Sequence, residues 1–400
     1  MNYWRQNLET SLILGAVVFV AMFIPGLIWQ YWRHGQFSFR RMIGWAAVCV
    51  YSTALFVYTL MPLPENGVAW CAEHTVRSNF TPFGFINDIQ RETAGMSTTQ
   101  MLRSNVVLQV VFNVVLFLPF GAIMRRYFGR GIAFTTLAGL ATSTLIEASQ
   151  YTGLFGIYPC AIRVADVDDL IMNTTGALIG ALIAPLLLWW MPSGKQLAAK
   201  RLSPRRVTAA RRWTGMLLDV ALFMGIQMGT TVVLFMGRWL LAGNTGNAPT
   251  EGATWEPAVA AGVALIVVFV GPALTGRGAS AGQKIVWITP KWVSSNGTHL
   301  TDGNLAQRIA RSLAVAGPYV VSELMASQAW TWSGVVGLVS TLAVLLAVVM
   351  VPGSRTHRSL SGWLTGAVFV DSRDPYAGGP DNEVPLPLTD AKKVELELPV

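Results

Sequence analysis

Residues 145–180 read LIEASQYTGLFGIYPCAIRVADVDDLIMNTTGALIG. Two apolar segments flank a short loop, and Glu147, Gln150, Asp166, Asp168, Asp169 and Asn173 sit in or beside them. A carboxylate at a membrane boundary costs several kcal/mol unless it is paired or kept wet, so such a cluster is a candidate functional site. Glu147 and Gln150 are spaced i, i+3 and share one helical face. Asp166, Asp169 and Asn173 are spaced 0, 3, 7 and share another. Asp168 points elsewhere and suits a helix N-terminus. Arg163 is the counter-charge expected to hold these acids in place. Gly176 and Gly180 form a GxxxG that lets a second helix come close.

The surrounding chain sets that stretch in a membrane. Of 400 residues, 52% are hydrophobic and 12% charged, against roughly 25% charged in a soluble domain. A water-soluble fold is excluded. The net charge of +8 arises from basic residues in short loops between apolar spans, which is an orientation signal rather than a nucleic-acid footprint. A span takes about 20 apolar residues. On that measure the chain reads as an all-α polytopic membrane protein of about nine transmembrane helices: 11–31, 42–62, 105–124, 132–152, 168–190, 213–236, 257–275, 311–328 and 332–351. The first run is too long for a cleavable signal and lacks a basic lead, so it is expected to stay.

Lys and Arg crowd alternate loops: Arg33, Arg40 and Arg41; Arg125, Arg126 and Arg130; seven between 192 and 212; and Arg277, Lys284, Lys291 and Arg308. Loop 242–256 has none, and loop 153–167 only Arg163. The positive-inside rule then places the N-terminus outside and the C-terminus in the cytoplasm. Cys71 and Cys160 fall on the outer side, where a disulfide between them is plausible chemistry. Cys49 lies within a span and reads as a packing residue.

Four segments follow from this pattern: a five-helix membrane domain (1–192), a basic cytoplasmic linker (193–212), a second membrane domain of about four helices (213–370), and a polar, disordered cytoplasmic tail (371–400). In the first domain, loop residues 77–86 (RSNFTPFGFI) are expected to fold back onto the membrane surface, and Asn113 is a lone polar residue able to bond across a helix pair. In the second, Asp219 and Glu323 lie within apolar spans, with Arg212 seven residues before Asp219 as its natural partner. KIVWIT (284–289) alternates like a short strand, and residues 359–370 read as an amphipathic segment on the inner membrane surface.

Three chemistries stay open for the acid cluster. It is a structural network around Arg163, a binding site for a charged headgroup or peptide-like ligand, or a seat for a divalent cation, which hard carboxylate oxygens suit, that catalyses hydrolysis or transfer. No histidine accompanies it and no Ser-His or Cys-His pairing is evident in this half, which argues against nucleophilic catalysis and so against an enzyme of that kind. No cofactor is otherwise implied.

RSNFTPF (77–83), FNVVLFLPFG (112–121), LIEASQ (145–150) and ADVDDLIMNTTGALIG (165–180) resemble the signature blocks of VanZ-like proteins, over about residues 40–190. The resemblance implies a multi-pass protein of the bacterial plasma membrane with a cell-envelope role, the founding member being linked to resistance to the glycopeptide teicoplanin. By position, Arg77, Asn79, Asn113, Glu147, Gln150, Arg163, Asp166, Asp169 and Asn173 carry the pattern as ligand-binding candidates. RRWTGMLLD (211–219), GASAGQKIVWI (278–288), QRIARSL (307–313) and RSLSGWLTGAVFV (358–370) resemble the RDD family, over about 207–370. That family usually has an Asp where Gly362 stands. The expected function is binding or shielding a lipid-linked or peptidoglycan-type ligand at an acidic outer-leaflet site. The alternatives are proton- or cation-coupled transport through Asp219 and Glu323, and a structural subunit of a membrane complex. Expected partners are membrane lipids, a lipid-linked envelope precursor or another membrane protein, and no nucleic acid.

Overall fold

The computed structural model describes residues 2–74, 78–241, 253–294, 299–354 and 357–374. Arg77 and the tail from 375 onward lie outside these described residues. The chain divides into two compact units, Met1–Lys200 and Arg201–Val400.

The first unit is helical: α1 (Asn2–His34), α2 (Phe39–Leu60), three short helices α3 (Gly67–Glu73), α4 (Gly84–Glu92) and α5 (Thr98–Leu102), then α6 (Asn105–Ala122), α7 (Ile132–Tyr151), the single turn α8 (Gly153–Gly156), α9 (Val167–Leu187) and α10 (Gly194–Ala199). A wider π-type turn, Ile123–Tyr127, extends α6. The hairpin α1–α2 packs side by side, and α9 packs against both α6 and α7. The α6–α9 contact is made backbone to backbone. Gly121, Gly176 and Gly180 lie so close to the facing helix that a Cβ on Gly180 would sit 2.0 Å from the Leu118 carbonyl oxygen. The expected GxxxG contact is thus made, with α6.

The second unit contains α11 (Ala209–Leu241), α12 (Glu256–Leu265), α13 (Gly271–Leu274), α14 (Ala281–Ile285), β1 (Ile288–Val293), β2 (Leu300–Thr301), α15 (Leu305–Ser327), α16 (Ser333–Gly353), α17 (Leu360–Thr365) and β3 (Val368–Asp371). The strands form a small antiparallel sheet in the order β2-β1-β3. The strand expected at 284–289 therefore starts four residues later, at Ile288. Residues 359–370 are not one amphipathic surface segment as expected. They form α17 and a strand paired to β1, because Val368 and Phe369 bury their side chains in this sheet.

Among the described residues, eight helices are long and apolar enough to cross a membrane. The ninth expected span, 311–328, falls in α15. That helix is long enough, but Arg308, Arg311 and Glu323 lie along it and leave it amphipathic. Burial within the spans runs opposite to a soluble fold. Leu12, Ile13, Val20 and Leu186 are exposed, while Gln30, Arg41, Ser143, Glu147 and Asn173 are buried between helices. Exposed apolar side chains suit lipid, and polar groups bond from helix to helix.

The tail does not begin at 371 as expected. Asp371 is buried and accepts from Arg211 Nη1 at 2.8 Å, Arg373 Nη2 at 2.7 Å and the Arg205 amide at 3.0 Å. Burial alone would raise its carboxyl, but the bonds from Arg373 and the charge of Arg211 outweigh that and hold it down at about 2. A carboxyl lowered in the folded state adds stability above its ordinary value near 4, and that stability is lost as pH falls through about 2. Thermal unfolding of the second unit is expected to fall progressively below pH ~4, and Asp371→Asn to remove that dependence. An unchanged acid limb in Asp371→Asn would sink this assignment.

Candidate functional site

The acidic stretch is built where α7 ends and α9 begins. Asn79 of the preceding loop joins it through an isolated strand-like bridge. The Asn79 amide donates to the Ala165 carbonyl at 2.9 Å, and the Val167 amide to the Asn79 carbonyl at 3.1 Å, a parallel bridge between Asn79 and Asp166. The Asn79 side-chain amide also donates to both Asp166 oxygens at 3.3 Å. The loop thus folds onto the start of α9.

Each acid then has its own task. Asp166 is the N-cap of α9, its carboxylate accepting from the Asp168 amide at 2.8 Å. Its own amide donates to Glu147 Oε2 at 3.0 Å, which ties the end of α7 to the start of α9. Asp168 is buried and accepts from the Phe83 amide at 2.6 Å and the Phe85 amide at 2.8 Å. It serves a helix N-terminus, but that of α4 rather than its own. Phe83 takes a left-handed φ of 62° there, uncommon for a residue with a side chain.

Asp169 Oδ1 accepts from the Asn113 side-chain amide on α6. Asn173, one turn on, turns the other way and donates to Ser143 Oγ on α7 at 2.9 Å. The expected single face of Asp166, Asp169 and Asn173 is therefore divided among a cap, α6 and α7. Asp169 remains close enough to Glu147 for its charge to bear on that carboxyl. Glu147 Oε1 and Asp169 Oδ2 accept no hydrogen bond among the described residues, and the buried Asn173 Oδ1 has no donor.

Arg163 does not clamp the acids. Its Nη1 donates to the carbonyls of Tyr58 at 3.0 Å and Thr59 at 2.8 Å, at the end of α2. Gln150 Nε2 donates to the same Thr59 carbonyl at 2.7 Å. These carbonyls are open because the helix stops at a proline. Pro62 has no N–H for the Tyr58 carbonyl. Arg163 still contributes its charge to Glu147 and Asp169 from that position. The MPLP sequence at 61–64 was the signal that could have located this acceptor pair.

A disulfide joins Cys71 of α3 to Cys160, with Cα atoms 5.7 Å apart. It ties α3 to the loop carrying Arg163. Among the described residues no group of three or more His, Cys, Asp or Glu is arranged to hold a metal ion. The reason is visible in the bonding: Asp166 and Asp168 spend their oxygens on backbone and side-chain amides.

In the second unit, Asp219 accepts from Ser280 Oγ and from the Gly282 amide, both at 2.7 Å, and so caps α14. Arg212 is not its ion-pair partner as expected. It donates to Ser359 Oγ at 3.0 Å and the His357 carbonyl at 3.3 Å, and stacks on Phe369 at 3.4 Å. Arg311 donates to the Gly278 carbonyl. Glu323 lies twelve residues beyond Arg311 on α15, about 18 Å along the axis. Asp219 lies at the level of Arg311, within reach of its charge, so the two proposed transport acids are not brought together.

The family described as VanZ/LLP1 matches residues 48–188, the segment that contains α7, α9 and all the acids at their junction. No curated protein and no solved structure matches the chain. Residues 48–188 of this multi-span protein form a VanZ-like domain.

Proposed function

We propose that the VanZ-like domain binds a cationic group of a cell-envelope ligand, lipid-linked or peptidoglycan-type, at the outer membrane boundary, and shields that ligand from glycopeptides. The observation that carries this reading is the set of acceptors left at the α7–α9 junction. Glu147 Oε1, Asp169 Oδ2 and Asn173 Oδ1 have no donors among the described residues, while Asp166 and Asp168 are committed to the backbone. Acceptors without donors at a membrane boundary suit an ammonium or another donor-rich group. The Cys71–Cys160 disulfide supports an outer location, because such bonds persist in oxidising compartments.

The second unit serves this domain as an RDD-like partner module. All four RDD-like blocks converge in one place: Asp219 meets Ser280 and Gly282, Arg311 meets Gly278, and Arg212 meets Ser359 and Phe369.

The test is teicoplanin susceptibility of a sensitive bacterial host expressing the full chain, together with binding of a lipid-linked muropeptide to the purified protein in nanodiscs. Glu147→Gln and Asp169→Asn are each expected to weaken binding about tenfold or more, the value of one charge-assisted bond, while leaving the thermal unfolding midpoint nearly unchanged. Wild-type affinity in the double variant would remove the proposal.

A further inference from the structure

The second unit buries more arginine than it neutralises. Arg212, Arg311 and Arg358 are only 1%, 5% and 7% exposed. Among the described residues none of the three is ion-paired with a carboxylate. Asp219, the acid within reach of the charges of Arg212 and Arg311, spends its two oxygens on Ser280 and Gly282. Buried N–H groups are left over: Nη1 of Arg212, Nε of Arg311, and Nε and Nη2 of Arg358 have no acceptor among the described residues. Arg211, next to Arg212 in the same helix, is treated differently. Arg211 places Nε on the Val286 carbonyl at 2.7 Å, Nη2 on the Trp287 carbonyl at 2.7 Å, and Nη1 on Asp371 at 2.8 Å. A buried cation without a counter-ion is costly, and buried donors almost always find a partner.

Arg212 and Arg311 approach from α11 and α15. Arg358 lies between His357 and Ser359, the two residues that hold Arg212. Arg212 is in the first turn of α11, a helix of 33 residues. That is longer than the roughly 20 needed to cross the apolar core, which leaves length for its basic first turn to reach headgroup depth.

We propose that this end of the unit is an oxyanion site, taking a phosphate group through the spare donors of Arg212 and Arg311, with Arg358, in the segment that holds Arg212, as a third donor. Guanidinium suits phosphate by its planar fork of donors. The phosphate comes from an anionic lipid headgroup or from solution.

The full chain is reconstituted in phosphatidylcholine nanodiscs, and its thermal unfolding is followed alone, with inorganic phosphate added, and with part of the lipid replaced by phosphatidylglycerol. A midpoint raised by inorganic phosphate identifies a free oxyanion, and one raised only by phosphatidylglycerol identifies a headgroup. Arg311→Gln is expected to weaken the response about tenfold. Arg358→Gln gives a second reading if Arg311→Gln does not fold, because the free donors of Arg358 hold nothing in the protein. No rise with either probe overturns the proposal, as does a response of wild-type size in Arg358→Gln and in any folded Arg311→Gln.

Discussion

Gly180→Ala is expected to separate α6 from α9 and to destabilise the first unit by about 2 kcal/mol or more. The new Cβ would stand 2.0 Å from the Leu118 carbonyl oxygen and 3.1 Å from the Ala122 amide nitrogen. Both are backbone atoms of a facing helix, so no side-chain rotamer can make room. Alanine is otherwise the better helix former by about 1 kcal/mol, so the sign of the effect isolates the contact. Gly225→Ala supplies the control, since nothing lies within 4 Å of its added Cβ. Unfolding in mixed micelles is expected to show a loss for Gly180→Ala and none for Gly225→Ala. Equal stability of the two would mean that α6 and α9 do not touch along this face. Because Asp169 hangs from α9 and Asn113 from α6, the same substitution should also abolish ligand binding.

Asp168→Ala is expected to release α4 and to cost about 3 kcal/mol of local stability. Two amides, those of Phe83 and Phe85, donate to this one carboxylate at 2.6 and 2.8 Å. Bonds to a charged acceptor contribute about 1.5–3 kcal/mol each. Loss of the carboxylate leaves both donors open and frees Phe83 from its left-handed backbone. Asp168→Asn keeps an acceptor oxygen but not the charge, and is expected to cost about half as much. Hydrogen exchange at the Phe83 and Phe85 amides is the direct readout. Protection unchanged in Asp168→Ala would show that α4 is held by other contacts. The contrast with Glu147→Gln and Asp169→Asn matters here. Those substitutions should spare the fold and weaken binding, whereas Asp168→Ala should unseat a helix first.

The acids of the stretch 145–180 are adjacent in the sequence and look alike there. Their separation into cap, tether and open acceptor came from which amides reach them. Asn79 and Phe83 arrive from a loop more than eighty residues away, and no periodicity within α9 reports on that loop. Arg163 illustrates the same limit. Its charge and its nearness to the acids were legible, and its bonds were not, because they depend on carbonyls opened by Pro62 at the end of another helix.

By itself the sequence determined the membrane setting, the positions of most spans, the close glycine contact and the pair of cysteines able to meet. Those properties depend on local composition, helical period and residue size, which a chain carries wherever it is placed. Only the tertiary structure decided that 368–371 becomes a strand, that Asp219 caps α14, and which carboxylate oxygens remain open. Each of those outcomes is a competition for a hydrogen-bond partner or a buried surface, and its winner is set by segments distant in the chain.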